Sequence, residues 1–246
     1  MSELKLEKIY RIDATLEAVT GIHIGSSNSE MHIGGIDSPV IKHPHTDEPY
    51  LPGSSLKGKI RSLLEWRFGL VGGNKGNPVS ARYLHEVREG TEQHASAWAI
   101  ARLFGVSGDA NEAFVNELGP TRVSFWDANL CSEWRQLRRD NIELLTEEKM
   151  ENCINRISGV ADNPRSIERV PAGSPFQLTI TLKKLSVDSD ALLTLLLQGL
   201  KLLELDGLGG SGSRGYGKVV LKNICLDGED ISERYQQVEP FAQVQL

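Results

Sequence analysis

The chain has 246 residues, of which 24% are charged, and its formal net charge is −6. This length can bury a substantial core without disulfides or structural metals, and it predicts one elaborated domain over residues 1–246. No apolar run reaches 18 residues and the first ten residues lack the apolar stretch of a signal peptide, which predicts a cytoplasmic protein with no membrane partner.

The first half of the chain predicts a strand, a helix, an insertion and a second strand. Apolar and polar residues alternate over residues 8–19, as in a strand with one buried face. In PGSSLKGKIRSLLEWRFG, apolar residues recur at helical spacing after Pro52, and Ser54 or Ser55 is expected to cap the helix. Residues 70–118 contain one short helical pattern, ASAWAIARLFG, which indicates a helical insertion. TRVSFWDANL then predicts a strand.

The second half of the chain predicts an arm followed by a strand, a helix and a last strand. Residues 130–172 are charged and poorly patterned, which suggests an extended hairpin. FQLTITLKKL alternates clearly, DSDALLTLLLQGLKLLELDG has the pattern of a core helix that ends at glycine, and GKVVLKNICL supplies the final strand. With the insertions set aside, the order is βαββαβ, so we predict an α+β, ferredoxin-like or RRM-like palm. Because RNA-recognition modules, enzymes and regulatory domains share this topology, it does not decide the function.

The charges are unevenly distributed along this acidic chain. A net negative charge argues against a nucleic-acid partner, because phosphate binding requires a positive surface. However, the segment from Pro52 to Phe68 contains four basic residues and one acid, and the segment from Gly207 to Asn223 contains three basic residues and no acid. The protein can therefore carry a local basic stripe.

The glycine-rich run LGGSGSRGYGKV matches two nucleotide-binding patterns, and neither has the right context. GxGxxG requires a strand before it and a helix after it, whereas here a predicted helix precedes and a strand follows. GxxxxGK has Val219 where Ser or Thr should bind the metal, and again no helix follows. We therefore reject both interpretations. The loop either binds a polyanion through its amides, Arg214 and Lys218, or is a flexible connection without a ligand.

Three further features of the sequence allow both a functional and a structural interpretation. In GSSLKGKIR, amides, hydroxyls and basic side chains could hold phosphates, although a solvated amphipathic helix is the commoner outcome. His23 could be a core histidine, or it could contact a phosphate or stack on a base, because glycines flank it. The alternate positions of His43, His45 and Asp47 resemble metal-ligand spacing, but an exposed loop is the better interpretation because no cysteine lies nearby.

The segment GGIDSPVIK places one carboxylate, Asp37, on a flexible stretch. An Asp before Ser-Pro often closes an Asx turn with its own downstream amides. Alternatively, the carboxylate lies next to RNA, where it positions a divalent ion or helps to activate a ribose 2′-hydroxyl. No second acid lies in the stretch, so a two-metal nuclease site is not supported.

Seven segments of the chain, in this order, resemble the repeated backbone subunit of type III-A CRISPR (Csm) effector complexes, a member of the RAMP superfamily. They are TGIHIGSS, GGIDSPVIK, EPYLPGSSLKGKIRSLLE, ARLFG, TRVSFWDANL, NRISGVADNPRSIERVPAGSPF and LGGSGSRGYGKV. The similarity spans almost the whole chain. Several segments are specific to this subunit, whereas the glycine loop alone indicates only the superfamily.

The resemblance implies an RRM-like palm, a helical insertion (a lid) over 70–118 and a protruding thumb over 130–172. Subunits of this kind stack into a helical filament on CRISPR RNA together with other type III-A effector subunits. Each thumb wedges into the guide–target duplex, and complementary target RNA is cut beside it at regular intervals in a reaction that depends on Mg²⁺ or Mn²⁺. Related effectors contain backbone subunits that do not cut, so a purely structural guide-binding scaffold is the alternative.

The resemblance also implies site residues. The catalytic aspartate of the family falls on Asp37, which is also the candidate ligand of a transient Mg²⁺ or Mn²⁺ ion. Because the chain lacks the clustered Cys and His ligands of some relatives, we predict no zinc site. The residues implied to bind RNA are His23, Ser54, Ser55, Lys57, Lys59, Arg61, Gly210, Gly212, Arg214, Gly215 and Gly217, with Arg165 and Arg169 in the thumb.

Overall fold

The architecture is a mixed α+β structure built on one antiparallel sheet. The computed structural model describes residues 4–26, 36–106 and 112–245. The strands of these segments are β1 (Leu6–Ala18), β2 (Tyr50–Leu51), β3 (Val123–Phe125), β4 (Ala128–Leu130), β5 (Glu147–Ile154), β6 (Ala161–Arg169), β7 (Pro175–Leu185), β8 (Val219–Leu226) and β9 (Glu229–Asp230). The helices are α1 (Gly53–Arg67), α2 (Leu70–Gly73), α3 (Ala81–Glu86), α4 (Glu92–Phe104), α5 (Glu112–Leu118), α6 (Ser132–Asp140), α7 (Ala191–Asp206) and α8 (Ser232–Gln236).

The main sheet has the strand order β2-β4-β7-β1-β8-β9, and β3 also pairs with β7. The four strands of the βαββαβ pattern are β1, then β3 and β4 together, then β7 and finally β8. Across the sheet they lie in the order fourth, first, third, second. All these pairings are antiparallel. The predicted ferredoxin-like palm is therefore confirmed.

The palm buries one face of its sheet under α1 and α7. Alternate residues of the two central strands, such as Ile12 and Leu16 in β1 and Ile180 in β7, are completely buried. Each such aliphatic side chain contributes about 1.5–3 kcal/mol on burial. The two helices approach closely at Gly199, where an added Cβ would meet Ile60. The alternating patterns of the sequence are thus explained by one apolar layer between sheet and helices.

Helices α2 to α5 lie within the range predicted as an insertion, and two polar contacts fix this region to the palm. Glu65 of α1 accepts hydrogen bonds from Arg61 at 2.8 Å and from the Val79 amide at 2.9 Å. Arg122 lies just before β3, with a fully buried guanidinium that forms a two-pronged ion pair with Asp188 at 3.0 and 3.1 Å. The same guanidinium donates to the Leu118 and Pro120 carbonyls. The insertion is therefore attached at both ends.

The range predicted as a thumb contains α6 and a hairpin of β5 and β6, which forms a two-stranded sheet apart from the main one. The predicted hairpin is confirmed, whereas α6 and the short helices α3, α5 and α8 were not predicted. None of the described helices is long and apolar enough to cross a bilayer. Gly34 and Gly35 of the GGIDSPV segment, and residues 27–33 of the loop before them, lie outside the described residues.

The prediction that Ser54 or Ser55 caps α1 is wrong. The N-cap residue is Pro52, whose side chain cannot accept a hydrogen bond from the first backbone amides of the helix. Instead, the Asp127 carboxylate accepts a hydrogen bond from the Gly53 amide at 2.7 Å. Asp127 lies in the turn between β3 and β4, which brings a remote carboxylate to the positive end of the helix. The first turn of α1 is therefore partly neutralised by the protein itself.

Candidate nucleic-acid interface

Three segments that are distant in sequence meet at one end of the palm. The His23 carbonyl, after β1, accepts a hydrogen bond from the Gly210 amide at 2.9 Å, and the Gly21 carbonyl accepts one from the Gly217 amide at 2.9 Å. On the thumb side, His23 Nδ1 lies 2.6 Å from the Glu168 carbonyl oxygen. Because a carbonyl can only accept, Nδ1 carries the proton and Nε2 is left for another partner. The structure therefore places His23 between the glycine loop and the base of the thumb.

The glycines of the loop over 207–217 fall into two groups. Gly209 and Gly217 have positive φ angles of 85° and 74°, and a Cβ at either position would overlap a carbonyl oxygen of a neighbouring segment. By contrast, a Cβ at Gly212 or Gly215 would meet no atom within 4 Å, although Gly215 also has a positive φ of 83°, and one at Gly210 would meet only His23, no closer than 3.7 Å. The first group shapes the loop, and the second leaves an open backbone surface on which a ligand can lie. Gly217, predicted to bind RNA, belongs to the first group.

The glycine loop is tied to the thumb hairpin through Glu151. The buried Tyr216 hydroxyl donates to Glu151 Oε1 at 2.8 Å, and Arg214 lies 3.3 Å from Glu151 Oε2. The hydrogen bond from Tyr216 is the main reason why the pKa of Glu151 is lowered, although burial opposes it. The Arg214 side chain is half exposed, so its second face remains open to solvent. Tyr216 and Glu151 were not among the predicted site residues.

Asp37 is exposed, and it is held on the base of the thumb by two reciprocal hydrogen bonds. Asp37 Oδ2 accepts from the Ser166 amide at 2.8 Å, and the Asp37 amide donates to Ser166 Oγ at 3.1 Å. The neighbouring Ser38 forms a parallel bridge with Ile167. The carboxylate therefore bonds to a strand 129 residues away, and the structure shows no Asx turn with its own downstream amides.

Glu168 holds the segment that follows Asp37, through Val40 and Lys42. Its buried carboxylate accepts hydrogen bonds from the Val40 amide at 2.9 Å and from Thr146 at 2.6 Å, and it lies 2.7 Å from Lys42 Nζ. Burial raises the pKa of Glu168, but the hydrogen bonds from Lys42, Thr146 and Val40 outweigh burial and lower it. The chain that follows Asp37 is thus bonded to the thumb at Val40 and Lys42, and Asp37 itself is bonded to Ser166, so the carboxylate has a defined position.

The two thumb arginines have different surroundings. Arg165 is exposed, precedes Ser166 in β6, and faces Glu151 across the hairpin. Arg169 is already engaged, because it pairs with Glu147 at 2.5 Å and lies 5.1 Å from the Tyr216 ring centroid. Among the described residues, Arg165 has no ion pair or side-chain hydrogen bond, whereas Arg169 stabilises the base of the thumb.

The predicted residues of α1 also differ in their environments. Ser54 is exposed and Ser55 partly buried at the first turn. Lys59 pairs with Asp206, the last residue of α7, which places it directly beside the start of the glycine loop. Arg61 turns toward the insertion, where it donates to Glu65 and to the Val79 carbonyl at 2.7 Å. The structure thus joins α1 to the glycine loop through Lys59, while Arg61 has a structural contact and its predicted RNA contact stays a prediction.

The described residues hold no group of three or more His, Cys, Asp or Glu side chains that could bind a metal ion. His43 stacks on Tyr50 at a centroid distance of 4.2 Å and lies 2.6 Å from Asn129 Oδ1, which gives it a structural role. Mg²⁺ in phosphoryl chemistry is often held by one or two carboxylates together with substrate oxygens and water. Asp37 can supply one such carboxylate, so its site fits a divalent ion only if RNA supplies further ligands.

Comparisons with known proteins agree with this geometry. A family model described as the RAMP superfamily matches residues 15–220. A CRISPR system Cms endoribonuclease Csm3 from Methanothermobacter thermautotrophicus is 39% identical over 238 residues, covering 91% of this chain and 87% of the relative. The protein of the same name from Streptococcus thermophilus is 39% identical over 219 residues, covering 87% of each chain.

Solved structures extend the comparison to three dimensions. A chain in the crystal structure of a Csm3-Csm4 subcomplex of the type III-A CRISPR-Cas interference complex has a TM-score of 0.52 and 28% identity, with 90% of this chain and 80% of that chain covered. A chain of a type III-B Cmr-beta complex bound to cognate target RNA has a TM-score of 0.56 at 19% identity, with 89% of this chain and 61% of that chain covered, and it shows a shared fold alone. The chain therefore belongs to the RAMP superfamily, and within it to the Csm3 family of CRISPR endoribonucleases.

Proposed function

We propose that this protein is a guide-RNA-binding backbone subunit of a type III-A CRISPR interference complex, and that it cleaves complementary target RNA with Asp37 as the catalytic carboxylate. The observation that supports the proposal best is the pair of reciprocal hydrogen bonds between Asp37 and Ser166. It presents an exposed acid in a fixed position on the thumb, bonded to the residue that follows the exposed Arg165 in β6.

A fixed single carboxylate is chemically sufficient because RNA carries its own nucleophile. Once a nearby group orients it or accepts its proton, a ribose 2′-hydroxyl can attack the adjacent phosphate, which forms a 2′,3′-cyclic phosphate while the bond to the 5′-oxygen breaks and that oxygen leaves as a protonated hydroxyl. Ser166 occupies one carboxylate oxygen of Asp37 and leaves the other for substrate. Arg165 can then stabilise negative charge that develops on the phosphate, since a guanidinium remains charged at all relevant pH values.

The proposed reaction depends on a divalent cation, Mg²⁺ or Mn²⁺, with Asp37 as its protein ligand. When bound, such an ion would neutralise phosphate charge and hold the phosphate in place. The protein's own part is to hold the Asp37 carboxylate through Ser166 and to keep its segment fixed through Glu168.

The proposed RNA surface follows from the open groups at this end of the palm. The guide strand lies on the first turn of α1, on Lys59 and on the open backbone at Gly212 and Gly215, with His23 Nε2 toward it. The proposed protein partners are further copies of this chain in a filament along CRISPR RNA and other type III-A subunits. In support, one similar structure is a chain of a Csm3-Csm4 subcomplex of the type III-A CRISPR-Cas interference complex. The cytoplasmic setting stays a prediction.

The alternative is a guide-binding scaffold that does not cut. It gives the Asp37 carboxylate only its hydrogen bond to Ser166, whereas the nuclease proposal requires its negative charge. The test is cleavage of labelled target RNA by the complex assembled on CRISPR RNA, with Mg²⁺, with Mn²⁺ and with EDTA. Cleavage that needs the ion and disappears in Asp37→Ala supports the proposal. Cleavage that persists in EDTA contradicts the metal dependence, and persistence in Asp37→Ala contradicts the role of Asp37.

A further inference from the structure

A cationic groove separates α1 from the loop and helix that follow α2. Its volume is about 700 Å³, within the usual range of ligand-binding sites. Four basic residues line it: Lys57, Arg61, Lys75 and Arg82. A second groove of about 510 Å³ adjoins it, shares Lys57 and Arg61 with it, and extends to Ser54 at the first turn of α1. The two grooves together make a continuous path from the proposed guide surface onto the insertion.

Two of the four cations already have partners, and two do not. Arg61 pairs with Glu65 at 2.8 Å, and Arg82 pairs with Glu86 at 2.8 Å. Within the part of the chain that the structure describes, neither Lys57 nor Lys75 has an ion pair. The groove therefore carries an excess of positive charge where the rest of the chain is acidic.

Lys57 is the more informative of these two lysines, because it is partly buried. Burial, and then repulsion from Arg61, lowers the pKa of its ammonium group. A partly buried ammonium without a counter-ion destabilises the folded state and is normally paired. An anionic ligand in the groove would supply the counter-ion that Lys57 lacks.

Lys75 is presented by a loop that is already ordered. The Asn74 side-chain amide donates to the Asn77 carbonyl at 2.9 Å, and the Asn77 side-chain amide donates to the Asn74 carbonyl at 3.1 Å. Lys75 lies between these residues with an exposed side chain. A ligand at the groove therefore does not have to order the loop on binding, which lowers the free-energy cost of the contact.

We propose that the RNA phosphate surface already implied for Lys57 of α1 continues across this groove to Lys75 of the insertion, so that both lysines bind the backbone of the RNA strand that contacts Ser54. The inference rests on the proposed function, since it assumes that α1 binds RNA. It extends that function by making the insertion part of the RNA surface. Lysine is suited to this task because phosphate contacts need a flexible point charge and carry no sequence information.

The test measures binding of a fluorescein-labelled oligouridine to the full chain at several salt concentrations. For single strands, the slope of log K against log salt falls by about 0.7 for each phosphate contact that is lost. Lys75→Ala and Lys57→Met should each reduce the slope by about this amount. The matched control is Lys8→Ala, which removes the same charge from an exposed side chain near the start of β1, at the opposite end of that strand from His23. Its slope should equal that of the wild type.

A second measurement separates a ligand site from a structural lysine. Removing an uncompensated, partly buried charge should raise the Tm of the RNA-free chain in Lys57→Met. A lower Tm together with an unchanged slope would overturn the proposal, as would a wild-type slope in Lys75→Ala. If inorganic phosphate raises the wild-type Tm while Lys75→Ala keeps the full slope, the groove binds free phosphate and the RNA assignment is wrong. A wild type whose RNA binding does not depend on salt would instead contradict the proposed function itself.

Discussion

Gly209→Ala and Gly212→Ala make the same chemical change in one loop, and we expect only the first to lower the stability. Gly209 has a φ of 85°, and its new Cβ would overlap the His23 carbonyl oxygen. The left-handed conformation costs alanine about 1–2 kcal/mol. Separating the loop from His23 would also break the hydrogen bond from the Gly210 amide, which contributes about 1 kcal/mol. Gly212→Ala meets no atom within 4 Å and has no positive φ, so its stability should stay near that of the wild type.

The expected loss for Gly209→Ala is therefore about 2–3 kcal/mol. For a chain of this size, about 2–4 °C of Tm corresponds to 1 kcal/mol, which gives a decrease of about 4–12 °C. Thermal unfolding followed by circular dichroism measures this difference directly. In an RNA-binding assay, Gly212→Ala should bind more weakly despite its normal Tm, because its methyl group lies on the open surface assigned to RNA. An unchanged Tm for Gly209→Ala, or equal losses in the two variants, would refute the assignment of structural and open glycines.

Three further predictions follow from the polar contacts. Asp188→Ala leaves the fully buried Arg122 guanidinium without its counter-ion, so urea unfolding should show a loss of about 3–5 kcal/mol, and a loss below about 1 kcal/mol would contradict this role. The pKa of Glu168 is lowered in the folded protein, so its carboxylate contributes stability that is fully present above pH 4.5, its ordinary pKa, and is lost as the pH falls through the lowered pKa. Over that pH range, the urea midpoint of Glu168→Gln should therefore drop less than that of the wild type. Lys59→Ala should change stability by less than about 1 kcal/mol while weakening RNA binding. Arg61→Ala should lower the Tm, because its largely buried ion pair and its carbonyl contact hold the insertion; equal effects of the two variants on the Tm would be inconsistent with these environments.

The palm could be predicted from the sequence because local patterns determine it. Alternation in β1 and β7 and helical spacing in α1 and α7 each record one buried face, and that face is the same in the structure. The short helices α3 and α5 could not be predicted, because a helix of six or seven residues is stabilised by its packing against neighbours more than by its own pattern.

The site could be predicted only in part, because its decisive contacts are non-local. Sequence reasoning left Asp37 between an Asx turn and a nuclease acid, and the partner that separates these readings, Ser166, lies 129 residues away. The capping of α1 by Asp127 was missed for the same reason. Arg61 and Lys57 lie one helical turn apart on a basic flank, yet one is paired with Glu65 and the other is not. A charge pattern along a helix cannot predict such a difference, because it depends on what packs against that face.

Cleavage of target RNA is proposed to require the negative charge of the Asp37 carboxylate, and one variant tests this requirement most directly. Asp37→Asn keeps an oxygen that can accept the Ser166 hydrogen bond, so the thumb contact and the Tm should be retained. The matched control is Asp47→Asn, a highly exposed aspartate in the loop that follows. In single-turnover cleavage by the assembled complex, we expect Asp37→Asn to lose the periodic cuts and still to bind guide and target RNA, while Asp47→Asn cuts like the wild type. Wild-type cleavage by Asp37→Asn would contradict the catalytic role of the Asp37 charge.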